Sequence, residues 1–211
     1  METASDLETD LRAGLLCLGV EPRDAVIAAL LRFVDLLIRW NRAFNLTGDR
    51  DPADLLTRHI LDSLTIKPFL RGVSVLDVGT GAGLPGLPLA LTEPERHFTL
   101  LDSRGKRMRF VRHAVGELSL ENVTVVQARV EEYDPADRFD TVLCRAFTSV
   151  PDFVRRCGGL VASGGRLLAM KGRLPAGELG DLPVGWQNPE VNALMVPGLD
   201  AQRHVVILKR T

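Results

Sequence analysis

The sequence predicts an α/β protein: an open, mostly parallel sheet of seven strands with a C-terminal antiparallel strand pair, preceded by an N-terminal helical extension. Two observations carry this. From residue 73 onward, short β-branched runs alternate with stretches of helical periodicity, as in sheets whose parallel strands are joined by crossover helices. In addition, Val73-Ser-Val-Leu-Asp-Val-Gly-Thr-Gly-Ala-Gly-Leu-Pro-Gly86 passes from an apolar strand into glycines at 79, 81, 83 and 86. That pattern sets a tight turn at a strand tip, where open α/β sheets hold their ligands. A chain of 211 residues suits one such domain over residues 71–211, with residues 1–70 as a helical piece packed on it.

Taken in order, residues 5–18 predict a short helix ending at Gly19, and Pro22 opens a longer one. In the latter, Val26, Leu30, Phe33, Val34, Leu37 and Ile38 recur at helical spacing as far as Trp40 and read as core. Asn41 to Gly48 is polar and turn-like, and Asp51-Pro52 marks the next helix start. On that helix His59, Asp62 and Ser63 fall at i, i+3 and i+4 and share a face. The triplet reads equally as a solvated stripe or a His–Asp pair. It does not read as a hydrolytic triad, because one helix cannot align base and nucleophile as that chemistry requires.

After the first strand, Leu84 to Leu91 has helical character, and His97-Phe-Thr-Leu-Leu-Asp102 alternates into a second strand ending on a carboxylate. An acid at that tip is placed to accept the ribose hydroxyls of an adenosine. Ser103-Arg-Gly-Lys-Arg107 begins a helix running to Leu118, and its basic first turns oppose the helix dipole, which points to an acidic partner. Asn122 to Gln127 is a third strand, followed by Ala128-Arg-Val-Glu131, where backbone and carboxylate are placed to read an adenine edge. Phe139 to Cys144 is a fourth, with Arg145-Ala-Phe147 at its tip. Pro151 to Leu160 reads as a helix, Gly165 to Gly172 as the fifth strand with Lys171 at its tip, and Pro175 to Leu182 as a short helix. Glu190 to Val196 and Arg203 to Lys209, parted by Pro197-Gly198, form the antiparallel pair.

Composition bounds the function. The hydrophobic fraction of 45%, the charged fraction of 25% and a net charge of -1 describe a soluble globule with no bulk attraction to nucleic acid. All the basic residues but Lys67, Lys106, Lys171 and Lys209 are arginine. Arginine suits phosphate and base stacking, and a GC-rich genome produces the same bias. Cys17, Cys144 and Cys157 are scattered and lack histidine partners, which argues for a reducing compartment and against a metal site. The acidic N-terminus and the lack of a long apolar run predict a cytoplasmic protein without a membrane partner, most simply a monomer.

The glycine turn admits two readings. Gly81-Ala-Gly83-Leu-Pro-Gly86 with Asp102 satisfies the dinucleotide fingerprint of an NAD(P)-dependent oxidoreductase. The register Asp77-x-Gly79-x-Gly81-x-Gly83 instead resembles the first motif of the Rossmann-like class I methyltransferases that use S-adenosylmethionine (SAM). SAM has no pyrophosphate for a helix N-terminus to hold, and the terminal antiparallel strands favour that class over a six-stranded parallel dinucleotide fold. A non-enzymatic RNA-binding or ribosome assembly module with a vestigial pocket is the third reading.

Nearly the full length then resembles the RsmG (GidB) family of guanine-N7 methyltransferases of 16S ribosomal RNA in the small subunit. The likeness rests on Asn45-Leu-Thr47, Arg58-His-Ile-Leu-Asp-Ser63, Asp77 to Gly86, Leu100-Leu-Asp-Ser103, Gly105-Lys-Arg107, Arg129-Val-Glu-Glu132, Arg145-Ala-Phe147, Lys171-Gly172 and Arg203-His204. One departure is Cys144, where the family more often has serine. The resemblance implies that Gly79, Gly81, Gly83, Leu84 and Ser103 line the SAM site, Asp102 holds the ribose, and Val130 and Glu131 contact the adenine side. It sets Arg145 at the edge between cofactor and substrate, and His59, Asp62, Asn45 and Lys171 toward the reaction chamber or the RNA. Guanine N7 carries an exposed lone pair, so methylation there needs no base and the enzyme's task is alignment. The guanine is expected to stack near Phe147, with Arg145, Lys171 and the face from Ser103 to Arg109 on phosphates. Transfer to an exocyclic amine or to pyrimidine C5 is disfavoured: the fourth strand ends in Arg-Ala-Phe rather than Asn/Asp-Pro-Pro-Tyr, and Cys144 lacks a preceding proline.

Overall fold

A computed structural model describes residues 4–145, 149–173, 179 and 183–210. Phe147 and the short helix expected over 175–182, Leu179 apart, lie outside the described residues. The N-terminal part holds α1 (Ala4–Cys17), α2 (Asp24–Phe44), α3 (Pro52–Leu55), a π-helical stretch Leu56–Leu61 and α4 (Asp62–Leu64). Strands and helices then alternate through β1 (Ser74–Val78), α5 (Gly86–Thr92), β2 (His97–Leu101), α6 (Gly105–Glu117), β3 (Val123–Val126), β4 (Phe139–Arg145) and α7 (Val150–Cys157). The chain closes with β5 (Val161–Lys171), β6 (Glu190–Leu194) and β7 (Arg203–Lys209).

The seven strands form one sheet in the order β3-β2-β1-β4-β5-β7-β6. The first five run parallel, and β7 is inserted antiparallel to both β5 and β6. Strand order therefore reverses between β1 and β4, and the tips of these two strands flank the crevice that such a reversal opens. Two-residue alternation sorts the side chains onto the two faces. Val142 and Cys144 enter the cluster that contains Phe153 and Cys157 of α7. Leu143 enters the opposite one, with Leu30, Phe33 and Leu37 of α2, Leu87 of α5 and Phe110 of α6. By the same alternation Asp77 and Arg145 lie on the α2 side, toward the segment that carries His59 and Asp62.

That side is covered by the N-terminal helices. Leu11, Leu15, Leu30, Phe33 and Leu37 are all 0% exposed, and each such side chain contributes roughly 1.5–3 kcal/mol through burial. The sequence expectation of core on α2 is thus met by packing against α6, where Phe33 stacks on Phe110 with ring centroids 6.2 Å apart. Where a regular helix was expected around His59, six residues are π-helical. Such wide turns are frequent at functional sites.

Candidate active site

The glycine turn is tied from both ends by carboxylates. Asp77 is 0% exposed; its Oδ2 accepts from Thr80 Oγ1 at 2.7 Å and from the Gly86 amide at 2.9 Å. Asp102 Oδ2 accepts from the Gly81 amide at 3.0 Å and Oδ1 from the Arg104 amide at 2.8 Å. The amides of Gly79 and Thr80 both bond to Leu101 O, and that of Leu84 to Thr80 O. A pyrophosphate would need several of these N–H groups free, and a carboxylate already stands at the start of α5. The dinucleotide reading therefore lacks its anion seat.

Beside the turn a cleft is lined by Val78, Gly79, Asp102, Ser103, Val130 and Glu131, among others. These residues are five of those the resemblance assigned to the cofactor, plus the last residue of β1. Asp102 keeps one lone pair on each oxygen for a ligand hydroxyl, so its contacts with the loop leave the expected ribose role open to it. Glu131 is held by Arg156 of α7 at 2.7 Å, a partner that sequence reasoning missed. Gly81, Gly83 and Leu84 sit differently from the expectation. Gly81 supplies its amide to Asp102, the Gly83 position abuts Leu87, and Leu84 is only 3% exposed within the core. They shape the turn because a tight reversal must bury its inner residues.

Burial pushes the Asp77 carboxyl up to about 6, and its Oδ1 has no hydrogen-bond partner among the described residues. The folded value lies above the ordinary 3.8, so the folded protein holds the proton more tightly than the unfolded chain. Stability from this group is present below pH 4 and is lost as pH rises through about 6, by roughly 3 kcal/mol in the limit. Denaturant titrations of wild type and Asp77→Asn should show the variant gaining relative to wild type between pH 4 and 6.5. A pH-independent difference between the two would refute the shift.

A second cleft lies on the other side of the strand tips, lined by Asp49, His59, Asp62, Arg145, Lys171 and Arg203, together with apolar Met170 and Leu194. Asp77 pairs in register with Leu143, so Gly79 and Arg145, two residues further on, leave adjacent tips and join the two clefts. Arg145 donates to His59 Nδ1 at 3.2 Å and approaches Asp62 Oδ2 at 3.6 Å. Asp62 Oδ1 accepts from Arg203 Nε at 3.0 Å. Burial raises the Asp62 carboxyl and lowers the Arg145 guanidinium, and each is opposed by the charge of the other.

Arginine only donates, so His59 Nδ1 is the acceptor and the ring carries its proton on Nε2, which donates to Asp49 Oδ2 at 3.0 Å. Burial and then the charge of Arg145 hold this imidazole down to about 4. His59 is thus a neutral ring with both nitrogens engaged, bridging Asp49 and Arg145. Ser63, expected on the same face, turns back to donate to His59 O at 2.5 Å.

The loop that brings in Asp49 explains Asn45-Leu-Thr47. Asn45 is an exposed left-handed cap of α2 (φ 46°) outside the lining of the second cleft, which of the two expected places, chamber or RNA, leaves the RNA side. Thr47 is buried instead: its amide donates to Asn41 Oδ1, and both Asn41 Nδ2 and Thr47 Oγ1 donate to Asp49 O at 2.9 and 3.0 Å. Asp49 and Arg203 were missed as site residues. Asp49 stands in a polar turn with no periodicity to mark it, and only tertiary structure pairs it with His59.

Glycine turn, strand-tip carboxylates and an antiparallel β7 between β5 and β6 together define a class I methyltransferase fold. Solved structures share it: an SAM-dependent O-methyltransferase from Thermotoga maritima, 17% identical over 83% of this chain and 71% of that one with a TM-score of 0.56, and a protein from Agrobacterium tumefaciens described as a predicted O-methyltransferase, 19% identical over 72% and 80% with a TM-score of 0.57. Residues 26–206 match GidB, rRNA small subunit methyltransferase G, and the chain belongs to that family. Curated relatives named ribosomal RNA small subunit methyltransferase G include one from Idiomarina loihiensis, 50% identical over 89% of this chain and 91% of its own. Another, from Salmonella paratyphi B, is 49% identical over 90% and 92%.

Proposed function

We propose that this protein transfers the methyl group of SAM to N7 of a guanine in 16S ribosomal RNA of the small subunit. The observation that carries the reading is the turn itself: the amides of Gly79, Thr80, Gly81, Leu84 and Gly86 are taken by Asp77, Asp102 and backbone carbonyls, which suits a nucleoside without phosphates. Gly79, Asp102, Ser103, Val130 and Glu131 would hold the cofactor in the first cleft. When bound there, SAM supplies an electrophilic methyl on a sulfonium.

The chain's own residues supply the rest. The second cleft offers guanidinium and ammonium groups at Arg145, Arg203 and Lys171 for an anionic polymer, with Met170 and Leu194 as apolar surface for a base. Neither His59 nor Asp62 is poised there as a base: His59 has both nitrogens engaged, and the carboxylate of Asp62 meets two arginines. Guanine N7 needs none. The target N7, the 16S RNA and a monomeric state in the cytoplasm belong to this reading. It is supported by the family and by three free cysteines, Cys17, Cys144 and Cys157; no helix among the described residues is long and apolar enough to cross a membrane. Labelled SAM with small-subunit RNA from cells lacking the gene should place the methyl on guanine N7 by nucleoside mass spectrometry. Label in protein, in an exocyclic amine or nowhere would reject it.

A further inference from the structure

We infer that the joint outer face of α2 and α6, remote from the strand-tip clefts' own side chains, is a docking surface for the phosphodiester backbone of the RNA that flanks the target. The inference rests on the reading above and adds a surface to it. α6 carries Lys106, Arg107, Arg109 and Arg112, and Arg104 precedes it; its one carboxylate, Glu117, closes the last turn. Successive members three residues apart are neighbours on the helix surface. Lys106, Arg109 and Arg112 therefore form an exposed stripe about 9 Å long.

α2 packs against α6. Arg32 pairs with Glu117 at 2.6 Å, and Trp40 packs on Phe110 and on His113, each at 5.4 Å between ring centroids. Exposed Arg39 and Arg42 of α2 flank Trp40 in sequence on the helix that meets α6, and Arg39 shares a surface depression with Arg32, Asp35 and Glu117. The face has an aromatic edge as well, since Phe44 is 42% exposed and lies 5.2 Å from Trp40.

Pairing distinguishes these cations from most others. Arg12, Arg58, Arg96, Arg138, Arg145, Arg155, Arg156, Arg203, Lys67 and Lys209 all have a carboxylate within 4.0 Å. Among the described residues, no carboxylate lies that close to Arg39, Arg42, Arg104, Lys106, Arg109 or Arg112. A chain of net charge -1 has thus set Arg104, Lys106, Arg109 and Arg112 together on one face, partly against the dipole of α6, with Asp35 and Glu117 beside Arg32 and Arg39 as its acidic border. Self-repulsion of that kind is relieved by a polyanion, and stacking of a base on Phe44 adds to it. The face is continuous with the site at both ends: α6 begins just after Asp102 and Ser103 of the first cleft, and α2 runs into the loop that carries Asp49 to the second.

The test compares wild type with Arg39→Gln/Arg42→Gln and Arg109→Gln/Arg112→Gln, using fluorescence anisotropy with small-subunit RNA from 50 to 300 mM salt. Each pair should weaken RNA binding about tenfold at 0.1 M salt and flatten the slope of log K against log salt by 1 to 2. SAM affinity by calorimetry and the thermal midpoint should stay unchanged. RNA affinity and salt slope equal to wild type would overturn the inference while transfer by the same samples leaves the functional reading standing. Variants that lose binding to anionic phospholipid vesicles and keep RNA binding would overturn it in favour of a membrane. If wild type transfers no methyl to any RNA the functional reading fails, and the anisotropy series still decides the surface.

Discussion

Arg145→Ala should reduce methyl transfer about a hundredfold or more, with SAM affinity nearly unchanged and the fold retained. Arg145 sits at the tip of β4 between the clefts, and its guanidinium meets both His59 and Asp62. Its loss strands the His59 acceptor and leaves Asp62 with Arg203 as its remaining partner. The cation facing the substrate chamber and the order of its wall disappear together. The first cleft does not include Arg145, so cofactor binding should survive. Arg145→Lys should restore little, because an ammonium cannot span imidazole and carboxylate as a planar guanidinium does. Single-turnover rates, calorimetry with SAM and a thermal melt separate the three effects. Turnover near wild type in the alanine protein would remove Arg145 from the site.

The fold was legible because its signals are local. β-branched runs, the glycine turn and the two late extended segments placed all seven strands, and strand tips are where this architecture puts its ligands. Asp102 and Ser103, the first residues past β2, and Val130 and Glu131, a few residues past β3, line the first cleft because strand order alone carries them to the strand tips. Residues whose role depends on a distant partner were not legible. Asp49 meets His59 across a loop anchored by Asn41 and Thr47, Arg203 meets Asp62 from the last strand, and Arg156 reaches Glu131 from α7. The α2 contribution to the basic face was hidden likewise. A helical stripe reveals which residues are inside, and it does not reveal which neighbouring helix the outside faces.

The four glycines, read from sequence as one loop, should separate cleanly on mutation. A Cβ at Gly86 would stand 2.2 Å from Leu100 Cδ2 and 2.8 Å from Asp77 Oδ2. Leu100 is fully buried on β2 and Asp77 is fully buried on β1, so neither can retreat into solvent. Gly86→Ala must therefore overpack the core and push the carboxylate off the Gly86 amide. The combined cost is roughly 3–5 kcal/mol, or about 10 °C in the thermal midpoint. At Gly79 the same methyl meets nothing within 4 Å, and the strain of a φ of +70° remains. Gly79→Ala should then lose only about 1 kcal/mol of stability while weakening SAM binding, since Gly79 lines the first cleft. Paired melts and SAM calorimetry on the two variants decide the matter: Gly86→Ala should fail in the melt and Gly79→Ala in the titration. The reverse assignment would show that the cofactor does not lie against the first glycine.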